Sequence, residues 1–377
     1  MTAQTILPAN SVVDTGLVTN SLRFNDGSSD FLSRSISSTG NRRKWTFSAW
    51  VKRSSMGTGS IRLMSVRNGN EQEWIGFDEN DIHISRYNNP YIYRYITNRK
   101  FRDPSAFYHV CVAMDSEQST AGNRMKLYVN GVQETSFSTE TQISEDYNTS
   151  WNTASFTNYI GNNGNSGDYY DGYMSEVVLI DGQQLAPTSF GEFDSDSPSI
   201  WKPIDVSGLT FGDNGFYLQF KGSGTSANSS GMGADTSGND NHLTVNNLTA
   251  IDQSLATNHC TQNPIDTDAN VVLSEGNLKV SNANNSYYSS CGTLAPVKGR
   301  WYFEAKVVSL GVFNVGITKA TQDGTVHAQV DAGRVAYSSN GNLYDDSGDP
   351  LSDTSTTFGA NDIIGVFLDL ESGTQAV

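Results

Sequence analysis

The sequence predicts an all-β protein of tandem antiparallel sandwiches. Three observations carry this. Apolar residues alternate with polar ones at period two, helical periodicity is nearly absent, and the runs are bounded by Gly, Asn, Asp and Pro. The 377 residues give room for two or three domains. A hydrophobic content of 36% with 35 glycines fits thin sandwich cores joined by many turns.

Taken in chain order, residues 1–17 form a polar arm containing Pro8, with neither the charged start nor the apolar stretch of a signal peptide. Residues 18–203 read as the first domain. Its clearest strands are Trp45–Val51, Arg124–Val129 and Tyr173–Ile180. Asn130-Gly131 follows the second as a hairpin signal, because both residues tolerate positive φ. Residues 204–262 form a connector whose strands, near Phe216–Phe220 and His242–Val245, add to a neighbour. Between them lies a Gly/Ser/Asn-rich stretch, 222–240, too polar to pack by itself. Residues 263–377 form a second sandwich, marked by Gly299–Val308 and Asp362–Asp369. An apolar strand so near Val377 would leave an open edge, so this sandwich reads as truncated and the polypeptide is expected to continue.

Charge and composition exclude several functions. Forty acidic against 24 basic residues give a net charge of −16, which argues against a nucleic-acid groove and an anionic membrane surface. No apolar run is long enough to span a membrane. Three cysteines are not a disulfide framework. Cys111 lies in the apolar run Tyr108–Met114 and reads as a buried thiol, whereas spacing leaves open whether Cys260 and Cys291 pair. The five histidines show no metal-ligand spacing, and neither a G-x-S-x-G elbow nor a phosphate loop occurs. Glu192-Phe193-Asp194 comes nearest to a glycosidase carboxylate strand but lacks the third acid. The chain therefore reads as non-enzymatic.

Two segments suggest ligand binding. Tyr91, Tyr93 and Tyr95 follow Tyr87 at i, i+2, i+4, which places them on one strand face, with Ile92 and Ile96 on the other to fill the core. An exposed tyrosine row stacks on sugar rings; subunit packing or a half-buried strand is the alternative. The loop Asn162–Tyr170 offers Asn163, Asn165, Asp168 and Tyr169 to sugar hydroxyls or a hard cation, unless it merely closes the sandwich.

The first domain resembles laminin-G-like, concanavalin-A-like jelly rolls. Ser21–Gly27, Phe47–Lys52 with its S-x-W-[IV]-K pattern, Tyr108–Val110 with Asp115, Leu127–Gly131 as L-Y-V-N-G, and Ile160-Gly161 followed by Tyr170–Ile180 occur in the family's order. The later region resembles a SPRY domain through Gly299–Glu304, Val315–Ile317, Tyr337-Ser338 with Gly341, and Gly359–Asp369. The resemblance implies that Trp50 and Trp301 belong to the two cores, and that Ca²⁺ is a possible ligand of loop acids such as Asp26, Asp30, Asp78 and Asp81; solvated turns are the alternative. The segment Gly233–His242 with Thr244–Thr249 is similar to one that joins such modules in tail-fibre-like proteins of tailed phages. That combination implies a virion protein assembled in the host cytoplasm, a homotrimer, docked on other virion proteins by its N-terminal arm and recognising a host surface glycan. A structural or decoration protein of the capsid or tail, and a glycan hydrolase, are the competing readings.

Overall fold

The computed structural model describes residues 18–371 apart from 58, 166, 283–287, 310, 312, 319–333, 345–349 and 354–355. The N-terminal arm, residues 1–17, lies outside the described residues. The chain divides into two compact units: an N-terminal unit whose described part is 18–259 with 274–276, and a C-terminal unit of 260–273 and 277–371.

The strands of the N-terminal unit are, in order, β1 (Asn20–Phe24), β2 (Phe31–Ser35), β3 (Lys44–Arg53), β4 (Ser60–Asn68), β5 (Glu71–Asp78), β6 (Asp81–Tyr87), β7 (Tyr91–Thr97), β8 (Tyr108–Asp115) and β9 (Met125–Val129). There follow β10 (Val132–Glu134), β11 (Phe137–Thr141), β12 (Thr157–Ile160), β13 (Gly172–Asp181), β14 (Gly191–Phe193), β15 (Trp201–Pro203), β16 (Phe216–Leu218), β17 (Thr244–Asn246) and β18 (Gln253–Leu255). Two eight-stranded antiparallel sheets result. The first has the order β10-β9-β8-β3-β13-β1-β18, with β16 also paired to β13; the second has β11-β7-β6-β5-β4-β12-β2-β17. Residues 204–259 thus supply β16, β17 and β18 to this sandwich, and Met232, from the polar stretch 222–240, is wholly buried in its core.

The core lies between the inward rows of the two sheets. In the first sheet Leu127, Val112, Phe47, Leu179 and Phe216 stand side by side; in the second, Val245, Leu32, Ile160, Met64, Ile75, Ile84 and Tyr95 do so. Period-two alternation therefore sets the register, since a one-residue slip would turn every inward side chain outward. The Asn130-Gly131 turn has φ of 49° and 77°, as the β9–β10 hairpin requires.

The central strands β3, β8 and β13 of the first sheet are buried on both faces. Phe190, Val206, Phe211 and Tyr217 from the segment after β13 cover Cys111, Val178 and Ile180 on its outer side. Trp50 is buried there too, with Phe107, Tyr173 and Trp201, rather than between the sheets. Glu176 also lies on β13, and its carboxylate accepts the Tyr217 hydroxyl. Burial raises Glu176 to about 7. Glu176 therefore favours the fold fully below about pH 4.5, where both states are protonated, and this contribution is lost as pH rises through 7 because only the unfolded chain ionises freely in between. Glu176→Gln should therefore match the wild type at pH 5 and exceed it at pH 8 by on the order of 2 kcal/mol, read as urea-unfolding midpoints. Equal stabilities at both pH values would refute this.

In the C-terminal unit, Arg300–Lys306 pairs with Ile363–Asp369, a four-stranded sheet runs Asn314–Thr318, Arg334–Ser338, Asn342–Tyr344 and Pro350–Asp353, and Gln262–Thr267 pairs with Ser290–Gly292. Trp301 is half-buried, not a core residue, because its strand has a single partner among the described strands and Tyr302 and Phe303 stay exposed. Cys111 is buried, Cys260 exposed and Cys291 half-buried. No helix among the described residues is long and apolar enough to cross a membrane.

Candidate functional site

The outer face of the second sheet carries a polar and aromatic cluster in which Ser65, Trp74, His83 and Ser85 are buried while Tyr91, Arg94, Asn163 and Asp168 stay half-exposed. Its register places Ser33, Tyr159, Ser65, Trp74, Ser85 and Arg94 in one outward row across six strands. Arg62 lies opposite Gly76, and Gly76 opposite His83. Small residues in these rows leave room for the large ones to lie flat.

The tyrosine row divides. Tyr95 sits opposite Ile84 and Tyr93 opposite Arg86, both inward-facing, so Tyr93 and Tyr95 are only 0% and 3% exposed. The sequence placed Ile92 and Ile96 inside instead; Ile92 is exposed and Ile96 half-buried. A register shift between Arg86 and Tyr87 then pairs Tyr91 with Tyr87 and turns Tyr91 to the outer face. The i, i+2, i+4 spacing holds only along a regular strand, and this bulge breaks it. Tyr93 and Tyr95 are thus core residues, the Tyr95 hydroxyl accepting from the Ile143 amide at 3.2 Å.

Tyr91 instead joins an aromatic and cationic cluster. The Arg62 guanidinium lies 4.6 Å over Trp74, and Arg94 lies 4.4 Å over Tyr91. Trp74 meets His83 and Tyr91 edge-on, at 5.3 and 6.2 Å between ring centres. The Asn162–Tyr170 loop reaches the same cluster. Asp168 pairs with Arg62 Nη2 at 2.9 Å and accepts from Asn163 Nδ2 at 2.9 Å. Asn165 is exposed, and its amide N–H donates to Asn163 Oδ1. Tyr169 packs near Phe31, which packs near Tyr159, as a second half-buried aromatic patch. Tyr91, Asn163, Asp168 and Tyr169 therefore share one face.

His83 is neutral here. Burial pushes it down to about 4 although Asp78 lies 3.5 Å from Nδ1. Nδ1–H faces that carboxylate, and Nε2 accepts from Arg94 Nε at 3.3 Å. Arg62 is 6% exposed and its pKa is lowered by burial; its Nε and Nη1 and the Trp74 Nε1 have no protein acceptor. Sequence reading missed Arg62, Trp74, His83 and Arg94. The signal was present: His83 and Ser85 alternate with Ile82 and Ile84, and Trp74 precedes Ile75, so all three point away from the core.

The acids expected to take Ca²⁺ do not converge. Asp26 is exposed in the β1–β2 turn, and Asp30 accepts from the Asn25 amide, its carboxyl raised to about 6 by burial. Asp78 accepts from Ser60, and Asp81 pairs with Lys100 at 2.7 Å. Among the described residues no group of three or more His, Cys, Asp or Glu side chains is placed to hold a metal ion.

One pair mimics a nucleophile and its base. Ser48 Oγ lies 2.8 Å from His109 Nε2, but Trp201 Nε1–H donates to His109 Nδ1 at 3.0 Å. Nδ1 is thus the acceptor, and the ring proton sits on Nε2, facing Ser48. The imidazole cannot take the serine proton in that tautomer, and burial depresses its pKa to about 3. The pair packs the outer side of the first sheet.

Comparison with known proteins agrees with this architecture. Residues 25–185 match the model of the concanavalin A-like lectin/glucanases superfamily, and residues 300–375 match that of the SPRY domain. No curated protein matches the sequence. Similar solved structures include a heptameric SAP-like pentraxin from Limulus polyphemus, at 14% identity over 46% of this chain and 80% of that one, with a TM-score of 0.33. Domains LG4-5 of the mouse laminin alpha1 chain share 10% identity over 97% of this chain and 75% of theirs, with a TM-score of 0.35. Tailspike protein 2 of an Escherichia coli O157:H7 bacteriophage shares 13% over 48% of this chain and 25% of its own, with a TM-score of 0.32. Residues 25–185 thus form a laminin-G-like, concanavalin A-like domain, and residues 300–375 correspond to a SPRY domain.

Proposed function

We propose that the N-terminal unit binds glycans on a host cell surface, without catalysis, through the outer face of its second sheet. The observation that carries this is the half-exposed Tyr91 ring, packed against Trp74 and His83, on the same sheet face as Arg62 with its partner Asp168 and Asn163 beyond it. An aromatic platform beside amide, carboxylate and guanidinium groups suits a sugar, which offers an apolar ring face and a rim of hydroxyls. The wider reading is a phage virion protein of the tail-fibre type. It would assemble in the host cytoplasm as a homotrimer and dock on other virion proteins through residues 1–17. It rests on the order of modules and on the segment at 233–249.

Binding of the purified protein to host envelope polysaccharide tests the site. Tyr91→Ala should weaken binding about tenfold, as expected for the loss of one stacking ring, while stability changes by less than about 1 kcal/mol. Unchanged affinity in that variant would remove Tyr91 from the site. A structural role in the particle is favoured for the C-terminal unit by its exposed Tyr302, Phe303, Ile363 and Phe367. Retention of the protein on particles after Phe367→Asp would count against that role.

A further inference from the structure

The donor set of the outer face narrows the ligand. Arg62 and Trp74 carry only donors, and three of their nitrogen atoms, Arg62 Nε and Nη1 and Trp74 Nε1, are buried with no protein acceptor. A buried donor without an acceptor is costly, so a ligand that brings acceptors gains more here than one that brings hydroxyls alone. The cations are concentrated as well: Arg67 donates to the Asn163 carbonyl, beside Arg62, and Arg94 is half-buried over Tyr91, in a chain whose net charge is −16. The acids facing them are Asp78, engaged with Ser60 and His83, and Asp168, which holds one nitrogen of Arg62. Asp168 belongs to a loop, and its side chain remains 30% exposed.

We propose that the site takes an acidic saccharide, whose carboxylate replaces Asp168 on Arg62 while the sugar ring lies against Tyr91 and Arg94. This rests on the glycan-binding reading and specifies its ligand. Asp168 is then an internal stand-in for the ligand's carboxylate. It covers Arg62 when no ligand is bound, leaving Nε and Nη1 for an acceptor that can address the guanidinium edge. His83 stays out of the charge balance over pH 5–8, being neutral and shared between Asp78 and Arg94.

The test uses the full chain and matched oligosaccharide pairs: hexuronate oligomers and sialylated oligosaccharides, each with its carboxyl-reduced counterpart, at low and high salt. The acidic member should bind at least tenfold more tightly, and the preference should shrink as salt rises. Arg62→Gln should abolish the preference. Because Arg62 is buried and its loss could unfold the unit, Arg94→Gln at the rim provides a second reading, with a several-fold loss for the acidic member only. Asp168→Asn should act in the opposite direction and tighten acidic binding several-fold, an effect that a merely structural Asp168 would not produce. Equal binding of acidic and reduced members would overturn this inference and leave the glycan reading standing. Acidic preference surviving in both arginine variants would overturn the assignment to Arg62. Binding to neither member of any pair would overturn both readings.

Discussion

Arg86→Met is expected to cost the N-terminal unit about 3–5 kcal/mol, and a second change, Glu73→Gln, to recover most of it. The two residues stand directly opposite on β5 and β6, facing the core. Arg86 Nη1 donates to Glu73 Oε1 at 3.0 Å, and the Ser150 amide donates to the same oxygen at 2.8 Å. Glu73 is fully buried, and burial raises it to about 7 against the pull of Arg86. Removing the cation alone leaves a buried carboxylate held only by neutral donors, the Ser150 amide and the Tyr93 hydroxyl. Its charge then has to be given up, so the loss should be larger at pH 8, where ionisation is favoured in the unfolded chain, than at pH 5. The double variant has no buried charge to compensate. Urea unfolding of the single and double variants at both pH values measures this. A double variant no more stable than Arg86→Met would show that the pair acts through something other than charge burial.

Trp45→Ala should cost a comparable amount, about 3–5 kcal/mol. Trp45 is the second residue of β3, is fully buried and packs on Trp151 at 5.0 Å between ring centres. Its Nε1–H donates to Thr149 Oγ1 at 3.1 Å. The indole thereby ties the first sheet to the segment between β11 and β12, and the alanine variant leaves a cavity and removes one donor from the Thr149 hydroxyl, which keeps its bond to the Arg42 carbonyl. Trp45→Phe keeps most of the volume and loses the hydrogen bond, so about 1–2 kcal/mol is expected. Thermal unfolding that placed the two variants at the same midpoint would contradict the cavity argument.

Much of the fold was legible because period two is a local property. Trp45–Val51, Arg124–Val129 and Tyr173–Ile180 became β3, β9 and β13, and Asn130-Gly131 became the turn after β9. What was not legible depends on pairing. Nothing local in Tyr91-Ile92-Tyr93-Arg94-Tyr95 shows that Ile92 is an extra residue in the pairing with β6, yet that one shift separates Tyr91 from Tyr93 and Tyr95. Trp201 falls among prolines and reads as the end of a domain, but it stacks on His109 and covers the outer side of the first sheet. Trp74 and Arg62 are 12 residues apart and gain meaning only when β4 and β5 bring them together. The acids named as possible cation ligands fall in two separate turns, Asp26 and Asp30 in one and Asp78 and Asp81 in another, and the last three have local partners. Half of the ligand loop was visible as Asn and Asp content, whereas its docking on Arg62 was not.

The central claim is the location of the ligand on the outer face of the second sheet, and hydroxyl-radical footprinting with and without an acidic oligosaccharide tests it most directly. Tyr91 and Tyr169 are half-exposed reporters on that face. A separate cleft of about 160 Å³, lined by Tyr95, Met125, Phe137 and Glu140, supplies reporters elsewhere on the same unit. Protection of Tyr91 and Tyr169, with Met125 and Phe137 unchanged, is the predicted result. Protection of Met125 and Phe137, with Tyr91 oxidised as before, would place the ligand in the cleft and contradict the account.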